Sequence, residues 1–327
     1  MATKLRKINL WRTEPLNNQV DSGANVFPLE HVFPSGRQAL GQALFQAGLK
    51  RENRVAFPEW SSHCVISAIG RFCTPIPMTE VIKSNLEVDA VLVYEQSGWP
   101  IIESVMGQLK NRFESKVFIL DMVDSAHFKI KPKPKQFKSF IQVTSLSKLL
   151  GLTGGGLALL NGKYLTFKSD KSAEIVMELF CRNGPIDRQP YGPHRDMLKG
   201  GLFARDHFLI DWLNNNGIVS AIEQERLARI ANLESLLDSA LSAGWPDWMK
   251  AAVKSGAGPG IAPLFRGGSV AILEKEKKQF RAKYGIETAI YHFNWSGNPL
   301  APKYEKCLAF PVHGMVENID DALRSIQ

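Results

Sequence analysis

The sequence predicts an α/β fold with a mostly parallel sheet flanked by helices, followed by a smaller C-terminal α/β unit. Two observations carry this. Short apolar runs, such as Asp89–Tyr94 and Val117–Val123, alternate with segments of helical spacing, such as Ile101–Phe113. That alternation is the mark of βαβ units and a parallel sheet. The runs are also apolar at nearly every position, as strands covered on both faces are.

In chain order, residues 1–30 read as an arm with at most a short helix. Ser35-Gly36 suits the cap of a helix running from Gln38 to Phe45. Arg54–Pro58 is a strand, Glu59–Cys64 a polar turn, Val65–Arg71 a short helix and Thr74–Met78 a strand. Phe140–Thr144 and Leu157–Leu160 are apolar strands on either side of Ser145–Gly156. Helices are expected near 202–214 and 218–243, a strand over Ser269–Leu273, and helices over Glu274–Tyr284 and Asn318–Ile326. The domain division read from this is 1–217 for the large unit and 218–327 for a connecting helix and small unit. Arg188–Asp196 reads as a long irregular loop.

Composition narrows the function. The 327 residues include 40 basic and 32 acidic ones, a net charge of +8. The densest basic run, Lys129, Lys131, Lys133, Lys135 and Lys138, alternates with prolines and reads as a solvated connector. It lacks the interleaved aromatics of a nucleic-acid surface, so no nucleic-acid partner is expected. The mild excess suits an acidic small-molecule substrate. Cys64, Cys73, Cys181 and Cys307 form neither a CxxC pair nor a zinc-type cluster, so no metal is expected and reduced thiols are the default. With no leader-like or membrane-length apolar run, a soluble cytoplasmic protein is expected.

Lys148 draws attention because it sits in a hydroxyl- and glycine-rich turn between two buried strands. Desolvation there lowers an amine's pKa and makes it nucleophilic, the chemistry of a Schiff-base lysine. The alternative is a strand-end lysine that snorkels to water. The Ser35-Gly36 helix start is either a simple cap or an anion site. Asp124 is either a turn aspartate or a carboxylate fixed at a strand end. Gly151–Gly156 does not read as a dinucleotide loop, because it precedes a strand instead of opening a helix.

Taken in order, these segments resemble the DegT/DnrJ/EryC1/StrS family of fold-type-I pyridoxal-phosphate (PLP) aminotransferases. The resemblance rests on Ser35-Gly36-Arg37-Gln38-Ala39-Leu40, Val55-Ala56-Phe57-Pro58, Asp124-Ser125-Ala126-His127, the Lys148 turn with its glycines, and Tyr284–Thr288 and Leu308–His313, which look like the family's C-terminal-domain strands. It implies a homodimeric enzyme of the kind used in polysaccharide biosynthesis. Such an enzyme moves an amino group from glutamate or glutamine to a nucleotide-linked keto-sugar through a Lys148 Schiff base with pyridoxal 5′-phosphate. It further implies Lys148 and Asp124 as catalytic residues, Asp124 pairing with the pyridine nitrogen. His127 would contact the ring, or else serve as a packing histidine. Gly36, Arg37 and Gln38 would offer N–H groups to the phosphate, with a hydroxyl from Ser145 or Ser147; Arg37 adds a charge-assisted contact or points to solvent. His63 is the expected group against the ring, with Trp60 the other aromatic of that turn. The family's Gly-Tyr-Asn-x-Arg segment is not found, and Pro190–Arg195 stands roughly in its place. The competing readings are a dehydratase or lyase on the same fold, and a binding or regulatory protein without turnover.

Overall fold

The computed structural model describes residues 7–16, 27–127, 130–168, 205, 207–267 and 269–316. Its larger sheet has seven strands in the order β2-β1-β3-β4-β5-β6-β7. These are β1 Arg54–Phe57, β2 Thr74–Pro77, β3 Ala90–Tyr94, β4 Val117–Asp121, β5 Ser139–Ser145, β6 Gly156–Leu160 and β7 Lys163–Tyr164. The first five are parallel, and β6 and β7 add antiparallel strands at one edge.

Side chains alternate across this sheet with the period of two that a pleated strand imposes. Ala90, Leu92, Val117, Ile119, Ile141 and Val143 meet helices α1 (Gly36–Gln46) and α2 (His63–Phe72) on one face. Val91, Val93, Phe118, Leu120 and Phe140 meet α3 (Met78–Lys83) and α4 (Glu103–Arg112) on the other. Burial on both faces explains the near-continuous apolar strands of the sequence.

Beyond the large sheet come α5 (Leu146–Leu150), between β5 and β6, then α6 (His207–Asn215) and α7 (Ile218–Leu237). A three-stranded antiparallel sheet, in the order β8-β10-β9, follows with β8 Ile261–Leu264, β9 Ala289–Asn294 and β10 Tyr304–Pro311. Helices α8 (Asp247–Lys254) and α9 (Val270–Tyr284) share its core.

Three readings change. Ser269–Leu273 is not a strand: Ser269 precedes α9, and the apolar residues after it form the first turns of that helix, which leaves Val270 and Ile272 exposed. Tyr284–Thr288 is not a strand either. It holds the end of α9, the left-handed Gly285 (φ 68°) and one bridge from Ile286 to Ile8. Lys131 is no free solvated charge, since its ammonium pairs with the buried Glu95 carboxylate at 2.9 Å. The expected helix over Asn318–Ile326, the segment Pro190–Arg195 and Cys181 lie outside the described residues.

α7 is tied to the large sheet by charge. Arg229 on α7 is fully buried and donates from Nε to Glu225 at 2.8 Å. Its Nη1 donates to the backbone carbonyl of Asp124 at 3.0 Å. Glu225 also accepts from Arg12 at 3.1 Å and from the Gly314 N–H at 3.3 Å. Buried ions need such pairing, because desolvation of either one alone is costly.

Candidate active site

The carboxyl ends of β1, β3, β4 and β5 open onto a cavity of about 550 Å³. This is the edge where open α/β sheets place ligands, here at the reversal of strand order beside β1. Each strand delivers one piece of the wall. The turn after β1 brings Trp60, Ser61 and Ser62, the end of β3 brings Tyr94–Ser97, and β4 brings Asp121, Val123 and Asp124. The end of β5 supplies Ser145, Ser147 and Lys148. Trp11 and β9 residues 290–292 close the far side, so the second sheet and the N-terminal segment complete the wall.

Lys148 lies on α5, not in an irregular loop. That short helix ends at Gly151 in the left-handed conformation (φ 69°), where a Cβ would meet the Glu14 carbonyl oxygen at 2.3 Å. The lysine Nζ lies 2.7 Å from Asp124 Oδ1 and 4.9 Å from the Trp11 ring centroid. The expected fall in its pKa is not what the structure produces. Burial pushes the amine down, but the Asp124 carboxylate outweighs it, and the lysine titrates above its ordinary value. Asp124→Asn removes the dominant opposing charge and leaves burial in control. The pH midpoint at which Lys148 becomes a free amine is therefore expected to fall, as read from the pH dependence of its trapping by an aldehyde and borohydride. An unchanged or higher midpoint contradicts the assignment of the ion pair.

α1 begins beside the lysine turn. Ser35 caps it, its hydroxyl accepting the Gln38 N–H at 3.3 Å, and Gly36 and Arg37 face the cavity. The glycine run is what brings these two segments together. The Gly155 N–H donates to the Pro34 carbonyl at 2.8 Å, and Phe33 and Gly156 exchange two backbone hydrogen bonds. A Cβ on Gly156 would stand 2.4 Å from the Ser35 carbonyl carbon, so only glycine permits this approach. Ser145 and Ser147 share a hydroxyl hydrogen bond of 3.0 Å on the same wall.

Of the residues expected at the site, Lys148, Asp124, Gly36, Arg37, Ser145 and Ser147 line the cavity together. Gln38 lies behind the wall with its N–H committed to Ser35. His63 is the exposed first residue of α2 and faces Ser67; Trp60 lines the cavity and stacks on His292, ring centroids 4.0 Å apart. His127 stands 3.6 Å from Glu95 Oε2, outside the wall. Glu95 itself is buried and held by Ser125 at 2.6 Å and Lys131 at 2.9 Å.

Sequence reasoning missed Asp121, Glu95, Trp11 and Tyr291. For Asp121 and Glu95 the signal was present: each is a carboxylate at the end of an apolar strand, where sheet ligands gather. Asp121 is buried, its Oδ1 accepts the Val123 N–H at 3.1 Å, and burial followed by the neighbouring Asp124 charge pushes it up to about 7.

Residues 24–167 match the sequence family described as "Putative PLP-dependent aminotransferase". No curated protein sequence matches the chain. Among solved structures, DesV of S. venezuelae, crystallised in complex with a ketimine intermediate, is similar at 17% identity and a TM-score of 0.53, over 94% of this chain and 90% of that one. The sugar aminotransferase Spr1654 of Streptococcus pneumoniae in its PMP form, so described on a provisional basis, gives 13% identity and a TM-score of 0.52, over 90% and 84%. A DegT DnrJ EryC1 StrS aminotransferase of Brucella abortus gives 17% and 0.50, over 90% and 85%. These likenesses show the architecture, which is that of the fold-type-I aminotransferases, and residues 24–167 carry the match to the PLP-dependent aminotransferase family.

Proposed function

We propose that the chain transfers an amino group from glutamate or glutamine to the keto group of a nucleotide-linked sugar, with Lys148 as the amine that holds pyridoxal 5′-phosphate. The observation that carries this is the meeting of Lys148, strand-end carboxylates and the α1 N-terminus in one cavity. The residues fit the cofactor. The glycine run presses the α1 start against the lysine turn, leaving backbone N–H groups and two serine hydroxyls on one wall for a phosphate. When bound, the cofactor supplies an electron sink for the carbon bearing the amino group.

The chain's own residues divide the remaining work. Lys148 Nζ holds or releases a proton, and Asp124 sets how tightly it does so. The N–H groups of Gly36 and Arg37 bind and orient the phosphate end. Trp11, Trp60 and Tyr291 exclude water and leave a partly apolar space for the acceptor. A nucleotide-linked acceptor suits the net positive charge, and the likeness to DesV and Spr1654 supports a sugar. The reading extends to a cytoplasmic homodimer. The free thiols Cys64, Cys73 and Cys307 are in keeping with a reducing compartment, and among the described residues no helix is long and apolar enough to cross a membrane.

The test is spectroscopic. Purified protein with added pyridoxal phosphate is expected to show a visible band that glutamate or glutamine converts to the near-ultraviolet absorption of the pyridoxamine form, and that a nucleotide-linked keto-sugar restores. A band that survives both donors sinks the transaminase reading in favour of a lyase or dehydratase. No band at all sinks the cofactor assignment.

A further inference from the structure

Trp60 is the one exposed tryptophan among the described residues. It stands on the turn after β1, on the wall of the cavity, with 52% of its surface open to water. One face of its indole lies flat on the His292 ring, centroids 4.0 Å apart and planes 13° from parallel. The Tyr304 ring meets its edge at 6.2 Å. The exposed surface is therefore the other indole face and the outer edge. Both supports are fixed. The Ser61 N–H and hydroxyl donate to the Pro58 carbonyl at 3.0 and 2.7 Å and close the turn. The Gln96 amide clamps β9, donating to the His292 carbonyl and accepting the Asn294 N–H, each at 2.9 Å. A cation stands beside the stack. Lys306 is directly opposite His292 in the β9–β10 ladder, so the two side chains share one face of the small sheet. Lys306 is exposed, the adjacent Glu305 is taken by Lys303 at 3.1 Å, and among the described residues the Lys306 ammonium forms no ion pair.

We propose that Trp60, on its His292 support, is the stacking platform for the nucleobase of the acceptor, with Lys306 as the cation for its phosphates. The assignment rests on the reading that the acceptor is a nucleotide-linked keto-sugar. The first argument is span. Lys148 follows β5 and Trp60 follows β1, and the strand order puts β3 and β4 between them. Three strand spacings separate the two ends by roughly 14 Å. A sugar ring reacting at Lys148 does not reach that far, whereas a nucleoside beyond a phosphate chain does.

The second argument is the surface itself. A rigid indole face held open to water is unfavourable in the free protein, and a flat ring laid on it removes that apolar surface from solvent. Because both supports are already fixed, little ordering is lost on binding. The third argument is charge. An aromatic face with an unpaired ammonium beside it is the combination that holds a nucleotide, the ring taking the base and the cation the phosphates. An uncharged acceptor would have no use for Lys306.

The experiment is titration calorimetry of the full-length protein with pyridoxal phosphate added, so that the site at the start of α1 is already filled. The probes are UDP, dTDP, GDP, CDP and inorganic pyrophosphate, on wild type, Trp60→Ala, Trp60→Phe and Lys306→Met, with a visible spectrum of each. At least one nucleoside diphosphate is expected to bind wild type, and pyrophosphate about ten-fold more weakly or worse. Trp60→Ala is expected to weaken the nucleoside diphosphate roughly ten-fold, the scale of one lost base–aromatic stack, and to leave pyrophosphate and the visible band unchanged. Trp60→Phe keeps most of the affinity. Lys306→Met weakens both kinds of probe and flattens their salt dependence. If no nucleoside diphosphate binds wild type, the nucleotide reading of the acceptor falls, and the platform with it. If one binds but pyrophosphate binds as tightly, or Trp60→Ala holds it equally well, the platform alone is overturned. A visible band lost in Trp60→Ala gives the indole to the cofactor and also overturns it. If Trp60→Ala fails to fold, Lys306→Met decides: weaker binding with a flatter salt dependence upholds the assignment, and unchanged binding ends it.

Discussion

Lys148→Ala is expected to abolish the visible absorbance that pyridoxal phosphate gives with the wild-type protein, and to lower turnover by about 10⁴-fold or more, the scale on which removal of a covalent nucleophile acts. No other side chain on the described cavity wall carries a primary amine, so nothing nearby substitutes for it. The fold should survive. The Lys148 side chain is one-third exposed, and its direct charge partner, Asp124, lies at the rim of the same cavity, where water can replace the ammonium. A far-ultraviolet spectrum close to wild type would therefore accompany the lost band. An unchanged band would mean that the cofactor is held elsewhere. A collapsed fold would mean that the lysine is structural.

Gly156→Ala is expected to lower stability substantially. The new Cβ would stand 2.4 Å from the Ser35 carbonyl carbon and oxygen and 2.5 Å from the Gly36 nitrogen. All three are backbone atoms, so no rotamer change relieves the contact. Overpacking of this kind costs about 3 kcal/mol, which corresponds to a fall in thermal midpoint of roughly 4–5 °C for a chain of this length. Cofactor retention should fall with it, because the same contact holds the start of α1 against the lysine turn. Gly107→Ala is the control. Its Cβ would meet nothing within 4 Å on α4, and alanine is the better helix former there, so no loss of stability is expected. Equal melting of the two variants would show that the backbone clasp has slack.

The large sheet was legible because its strands are covered on both faces, and unbroken apolar runs such as Val91–Val93 and Phe118–Leu120 say so directly. The second sheet was harder. β8 contains Pro263 and β9 mixes Tyr291 and His292 with apolar residues, so neither shows a clean period. Val270–Leu273 is an apolar run of strand length, yet its continuation through Glu274 and Lys275 belongs to one helix; a run that short does not distinguish the two. At the site, local chemistry left Lys148 and Ser35-Gly36 open between a structural and a site reading, and the tertiary structure brings both to one cavity wall. Arg229 was not, since an arginine in the middle of an amphipathic pattern reads as surface until the tertiary structure buries it against Glu225. Trp11 and Tyr291 reach the wall from opposite ends of the chain, and no local pattern announces that.

The charged knot around Glu225 bears on how the protein comes to be active. It joins Arg12 to Glu225 across 213 residues, and Arg229 to the Asp124 backbone across 105. The Asn9 carbonyl is likewise reached by His313, 304 residues away. Contacts of such separation carry the closure cost of long loops. The segment that carries the family signature, residues 24–167, contains neither Arg229 nor Tyr291. That segment holds every strand of the large sheet and Lys148, while Trp11 and residues 290–292 add wall from outside it. Completing the cavity wall around Lys148 therefore requires segments far apart in the chain to be in place together.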